Sequence, residues 1–97
     1  AFAHVSAALR RAARVPVSAN TRITGPALAE AILERGDADF VSLGGALIAD
    51  PDWARKAASG HAAEIRSCTA CMECWNDLAI HRRPIGCPEN PRAGREP

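Results

Sequence analysis

The sequence predicts an α/β protein, and two observations carry that prediction. Two short apolar runs, residues 15–19 and 38–43, have the β-branched, apolar composition of buried strands. Between them, residues 26–35 repeat apolar side chains at helical spacing. A strand, a helix and a second strand in that order favour parallel pairing through a right-handed crossover.

The predicted helices are marked by their apolar spacing and by proline and glycine at their ends. Residues 3–13 form the first, with arginines away from the apolar face. Pro26 suits the first turn of the second helix, and Gly36 suits its end. A third helix is expected over residues 51–59, with Asp50 before it as a cap.

Two strands alone cannot complete a sheet, because each leaves an open edge and an apolar face. We therefore expect residues 1–62 to be part of a larger α/β domain, for which a (β/α)8 barrel and an open doubly wound sheet both fit. Cysteine and proline dominate after that point. Residues 63–97 are predicted to be a loop-rich segment with one or two helical turns over residues 75–80.

Composition excludes some classes of function. The 97 residues carry a formal net charge of +1, which gives no reason to expect a nucleic acid or a membrane surface as partner. No apolar run approaches the roughly 20 residues that span a bilayer. No signal peptide is recognisable, which says little about export of a longer protein. The first half is free of cysteine and patterned like an intracellular α/β protein, so the expected location is cytoplasmic.

Four cysteines form the strongest chemical signal in the sequence. Their spacing is C-x2-C-x2-C-x12-C, and proline follows the last one; they are Cys68, Cys71, Cys74 and Cys87. A compact triplet with a remote fourth thiolate is typical of a 4Fe–4S site. Zinc sites more often pair two ligands with two, but zinc and disulfides remain alternatives. The flanking His61 and His81 are expected to be surface residues.

A weaker signal follows the two predicted strands. Thr21 and Arg22 come after the first strand, and Gly44 and Gly45 come after the second. Ligands of parallel α/β folds bind at the carboxyl ends of the strands, and glycine lets a phosphate approach the backbone. These residues are candidates for a phosphate site, although two glycines after a strand also make an ordinary turn.

Three stretches together with the cysteine set resemble the iron–sulfur branch of the old yellow enzyme family, which includes 2,4-dienoyl-CoA reductase and trimethylamine dehydrogenase. They are VPVSANTRI (15–23), GDADFVSLGGALIADPDW (36–53) and CPENPRAGRE (87–96). The resemblance implies the last two βα units of a (β/α)8 TIM barrel, with residues 15–19 and 39–44 as strands seven and eight. A loop-rich iron–sulfur segment with its four cysteines would follow the barrel.

The same resemblance implies that the backbone around Thr21, Arg22, Gly44 and Gly45 binds the phosphate of FMN. The cluster would transfer electrons between FMN and a downstream nucleotide-binding domain, so FAD and NAD(P)H are implied for the longer protein. Its substrate would be an alkene conjugated to a carbonyl, or an amine. The partner implied for this segment is the remainder of that protein, and self-association is left open.

Two departures from the family pattern concern the phosphate site. Thr21 stands where the family usually has glycine, and Gly45 stands where it usually has arginine. No catalytic acid or base is assigned to this chain, because those residues would lie on earlier strands. Two competing interpretations are a structural interaction module that binds zinc through the four cysteines without enzymatic activity, and a remnant that has lost its activity.

Overall fold

Two short parallel strands with helices around them form the first part of the chain. The computed structural model describes residues 2–97 and divides them into two units, Ala1–Gly44 and Gly45–Pro97. The first unit contains α1 (Ala3–Ala12), β1 (Ser18–Ala19), α2 (Pro26–Glu34) and β2 (Phe40–Val41). The second contains α3 (Gly45–Ala49), α4 (Trp53–Ala58), a 3-10 helix (Ala62–Glu64) and α5 (Glu73–Ala79).

The predicted parallel pairing is confirmed, but both strands are shorter than predicted. Ser18 pairs with Phe40, and Ala19 pairs with Val41. The backbone N–H of Val17 donates to the Asp39 carboxylate at 2.8 Å rather than to a strand carbonyl. The Val17 carbonyl still accepts the Asp39 N–H at 2.8 Å, but the Val17 N–H is bound by a side chain, and regular pairing begins at Ser18.

The helices of the first unit agree with the prediction to within one residue at each end. Pro26 occupies the first turn of α2, and Gly36 follows the helix with φ 74°. In the second unit, α4 begins two residues later than predicted. The Asp50 side chain accepts the Asp52 N–H at 3.0 Å, which favours a turn before the helix.

Each unit has a small core of its own. Ile32 and Ala19 are buried in the first, whereas Phe40 of β2 is 50% exposed and Val15 is 67% exposed. Apolar strand residues therefore remain uncovered, as expected for an incomplete sheet. In the second unit the buried residues include Trp53, Ala46, Ala49 and Ala93 with three polar residues, Asp50, Asp77 and Asn90.

Neither the division at Gly44 nor any other feature tests the predicted boundary between residues 62 and 63, which stays a prediction. Within residues 2–97, no helix combines the length and the apolar character that crossing a bilayer requires.

Candidate functional site

The three clustered cysteines lie on a loop that turns sharply and then enters α5. Ala70 has φ 58° and Met72 has φ 67°, both in the left-handed region. The N–H of Ala70 donates to the Sγ of Cys68 at 3.4 Å. Cys74 follows in the first turn of α5. Backbone N–H groups directed at sulfur are a feature of iron–sulfur sites, so the loop fits the thiolate ligands of such a cluster.

All four cysteines are free thiols in this structure. Cys71 is exposed and the other three are partly buried. Over residues 2–97, no three His, Cys, Asp or Glu side chains come close enough together to hold a metal ion. The described residues thus form no site for a single metal ion, and the predicted set of cluster ligands stays a prediction. His61 hydrogen-bonds to the Ser59 hydroxyl at 2.8 Å.

Gly45 lies against the first cysteine. A Cβ added at this glycine would be 2.9 Å from the Sγ of Cys68, closer than carbon and sulfur can approach. By contrast, a Cβ at Gly44 would meet no atom within 4 Å. The position of the Cys68 sulfur therefore requires glycine at residue 45.

The fully buried Asp50 fixes the chain just before Cys68. Its carboxylate accepts hydrogen bonds from the Lys56 ammonium at 2.6 Å and from the N–H groups of Arg66 and Asp52 at 3.0 Å each. These donors, Lys56 foremost, lower the pKa of Asp50 to about 2. Asp50 is therefore ionised at neutral pH and holds Arg66, two residues before the cysteine.

A second buried carboxylate, Asp77, lies on α5 and contacts the segment before Cys87. One oxygen accepts the Nε of Arg83 at 2.7 Å, and the other accepts the N–H of Gly86 at 2.9 Å. The Arg83 hydrogen bond, followed by the Gly86 N–H, lowers the pKa of Asp77 against the opposing effect of burial.

Asn90 holds the segment that carries Cys87, the last cysteine. Its side-chain amide donates to the carbonyl of Ile48 at 2.8 Å. The residue as a whole is only 2% exposed. Its backbone forms an antiparallel bridge with Cys87. A buried amide thus links α3 to the segment that carries the fourth thiol.

These polar residues were missed or underestimated from the sequence. The sequence predicts Asp50 only as a helix cap and predicts no role for Asp77 or Asn90. Asn90 precedes proline, which marks a turn and was the one available signal. Asp77 had none, because its partners lie six and nine residues further along an irregular loop.

The candidate phosphate residues of the first unit follow the two strands at one edge of the sheet. Ser18 and Ser42 hydrogen-bond through their hydroxyls at 2.7 Å, so the loops after β1 and β2 leave from the same place. Thr21 and Arg22, both exposed, have φ 71° and 57°. Successive left-handed residues other than glycine are strained, and such strain is concentrated at ligand sites.

Gly44 is exposed at the end of the first unit, and Gly45 begins the second. Whether these residues act with Thr21 and Arg22 on one phosphate stays a prediction.

The chain is similar to three curated enzymes. It is 42% identical over 96 residues to a metal reductase of Desulforamulus reducens, 39% identical over 89 residues to an NADH oxidase of Thermoanaerobacter brockii, and 38% identical over 88 residues to a bilirubin reductase of Mediterraneibacter gnavus. These alignments cover 91–99% of the chain but 14% of each enzyme. The chain therefore spans about one seventh of the length of these relatives.

Two solved structures contain the same fold. A 2-naphthoyl-CoA reductase complex matches 96% of the chain with a TM-score of 0.87, and the 6-hydroxypseudooxynicotine amine oxidase of Pseudomonas geniculata N1 matches 97% with a TM-score of 0.90. Both are 28% identical to the chain, which covers 14% of each. No protein-family profile matches the sequence. These five proteins are named as reductases or oxidases.

Proposed function

We propose that this chain binds one 4Fe–4S cluster and contributes to the binding of the FMN phosphate. As its sequence predicted, it is a segment of an old yellow enzyme-like FMN and iron–sulfur oxidoreductase. The names of the relatives and of the structural neighbours confirm the resemblance to that class of enzyme. The longer protein is then an NAD(P)H-dependent oxidoreductase. Its substrate would be an alkene conjugated to a carbonyl, or an amine.

The observation that carries the cluster proposal is the backbone of the cysteine loop. The Ala70 N–H points at the Cys68 sulfur, and two left-handed residues turn the chain between the thiols. Hydrogen bonds to sulfur stabilise the negative charge of thiolate ligands. The proposed ligands are Cys68, Cys71, Cys74 and Cys87, and a bound cluster supplies one-electron transfer between flavins.

The proposal for FMN is supported by the loops that leave the sheet edge. Thr21 and Arg22 expose strained backbone after β1, and Gly44, which follows β2, has open space where a side chain would be. Gly45 is the next residue. Arg22 adds a positive charge that suits a phosphate. Bound FMN would supply hydride and single-electron chemistry, whereas this chain would bind its phosphate.

The two βα units are proposed to be the last two of a (β/α)8 barrel. Phe40 and Val15 are at least half-exposed, and both edges of the strand pair are open within residues 2–97. Neighbouring strands and helices of the longer protein would cover these faces.

Metal analysis tests the cluster. The chain and the full-length protein would be purified and reconstituted anaerobically with iron and sulfide, and iron, sulfide, zinc and the visible spectrum measured. About four irons and four sulfides per chain, with absorption bleached by dithionite, are expected. Cys71→Ala should lose the cluster, whereas the matched His61→Ala and His81→Ala should keep it. One bound zinc without colour would favour the structural module instead.

Flavin titration tests the phosphate site. Arg22→Ala in the full-length protein should weaken FMN binding by about tenfold, which corresponds to about 1.4 kcal/mol. Arg14→Ala, which removes an exposed arginine from the segment after α1, should leave the affinity unchanged. Equal affinities of the two variants and of the wild type would contradict a role for Arg22.

A further inference from the structure

We infer that Asp77 is a positioning residue that fixes the segment carrying Cys87 to α5, the helix that carries Cys74; this inference rests on the proposed cluster. Asp77 is 6% exposed, and its hydrogen bonds join two parts of the chain that are separated by an irregular loop. The spacing of the cysteines does not predict this positioning role for Asp77.

The contact with Gly86 is the central one. Oδ2 of Asp77 accepts the backbone N–H of Gly86 at 2.9 Å, and Cys87 is the next residue. A Cβ added at Gly86 would be 2.9 Å from that same oxygen, closer than carbon and oxygen can approach without a shift. A side chain at residue 86 would therefore push the Asp77 carboxylate away from this N–H.

The second oxygen of Asp77 binds the same loop at another point. Oδ1 accepts both Nε and a terminal nitrogen of Arg83, each at 2.7 Å. The backbone N–H of Arg83 also donates to the backbone carbonyl of Asp77 at 2.9 Å. Each carboxylate oxygen is thus occupied, and the loop is fixed at residues 83 and 86.

The position of Asp77 on its helix explains why this matters for a cluster. Cys74 and Asp77 are three residues apart on α5 and so lie on the same side of the helix. Twelve residues separate Cys74 from Cys87, and closing such a loop around a ligand costs entropy. Ordering the loop before the cluster binds removes that cost from binding, which favours slow loss of the cluster.

The experiment compares Asp77→Ala, Asp77→Asn, Gly86→Ala and Arg82→Ala in the reconstituted full-length protein. Iron loss to a ferrous chelator should be at least tenfold faster in Asp77→Ala and in Gly86→Ala. Arg82→Ala, the matched control, removes an exposed arginine, leaves the Arg83 and Gly86 hydrogen bonds of Asp77 in place and should stay within threefold of the wild type. Asp77→Asn keeps one acceptor oxygen for the Gly86 N–H but sets an amide donor against Arg83, so its rate should fall between those of Asp77→Ala and the wild type.

Two further readouts separate positioning from general destabilisation. The electron paramagnetic resonance spectrum of the reduced cluster should change in Asp77→Ala and remain that of the wild type in Arg82→Ala. In the cluster-free protein, the Gly86 amide should exchange its hydrogen at least tenfold faster in Asp77→Ala than in the wild type.

Equal rates of iron loss and of exchange in all variants would overturn the inference, as would an Arg82→Ala variant that is as damaged as Asp77→Ala. If Asp77→Ala does not fold, Gly86→Ala against Arg82→Ala decides the question with Asp77 intact. A wild-type protein that binds no iron would overturn the proposed function, and the exchange of the Gly86 amide would still decide whether Asp77 holds that residue.

Discussion

Replacing Asp50 with asparagine should loosen the turn that leads to the cysteine loop. Asp50 is fully buried and accepts two backbone N–H groups and the Lys56 ammonium. Asparagine keeps one acceptor oxygen, so at least one of the buried N–H groups loses its partner at a cost of about 1–3 kcal/mol. Loss of the partly buried ion pair with Lys56 adds about 1 kcal/mol. We expect a total of about 3 kcal/mol.

Native-state hydrogen exchange measures this loss locally. The amide of Lys56 donates to the Asp52 carbonyl in α4, and it should exchange about 100-fold faster in Asp50→Asn. Asp52→Asn is the matched control, because its ion pair with Arg55 is exposed and should change exchange by less than about threefold. Equal exchange in the two variants would refute the structural importance of Asp50.

The pH dependence of hydrogen exchange tests independently whether Asp50 is ionised. The pKa of Asp50 is lowered from 3.8 to about 2, so its stabilisation is complete above pH 4 and is lost as the pH falls towards 2. The ratio of exchange rates between Asp50→Asn and the wild type should stay constant from pH 7 to pH 5 and shrink below pH 4. A ratio that did not change down to pH 2 would contradict a buried, ionised carboxylate.

Three other substitutions test separate features. Gly45→Ala should displace the Cys68 sulfur and change the alkylation rate of that thiol, whereas Gly44→Ala should not; equal rates would contradict the close contact. Trp53→Phe should lower the free energy of unfolding by less than about 1 kcal/mol, because the indole N–H has no partner within residues 2–97. Trp53→Ala should lower it by about 3–5 kcal/mol, and denaturant titration measures both variants. Thr21→Gly should raise the stability of the FMN-free protein by about 1 kcal/mol by relieving a left-handed residue, and a lower melting temperature would count against that strain.

The sequence predicted the elements whose signals are local. Pro26 and Gly36 mark the ends of α2, and the strand–helix–strand order was sufficient to predict the parallel pairing. The strand lengths were wrong because the Asp39 side chain takes the Val17 N–H, a tertiary contact that no periodicity reveals. The same limit applies to Asp77, whose partners lie on an irregular loop.

Thr21 shows what the structure adds to the sequence. The resemblance identified it as a departure from the usual glycine, but the sequence did not say what the departure costs. With φ 71°, the residue occupies backbone space that glycine enters freely and threonine enters at a cost. The cysteines could be predicted from their spacing, whereas the groups that hold them could not.

The two-residue ladder between β1 and β2 bears on how the chain can be produced in the laboratory. Both outer edges of the pair carry free N–H and C=O groups within the described residues, and Phe40 presents half of its surface to solvent. Such edges pair with any extended strand that they meet, including the same strand of a neighbouring molecule. Expressed alone, the chain should become turbid as its concentration rises, and co-expression with the other strands of the proposed barrel is the direct way to keep it dispersed.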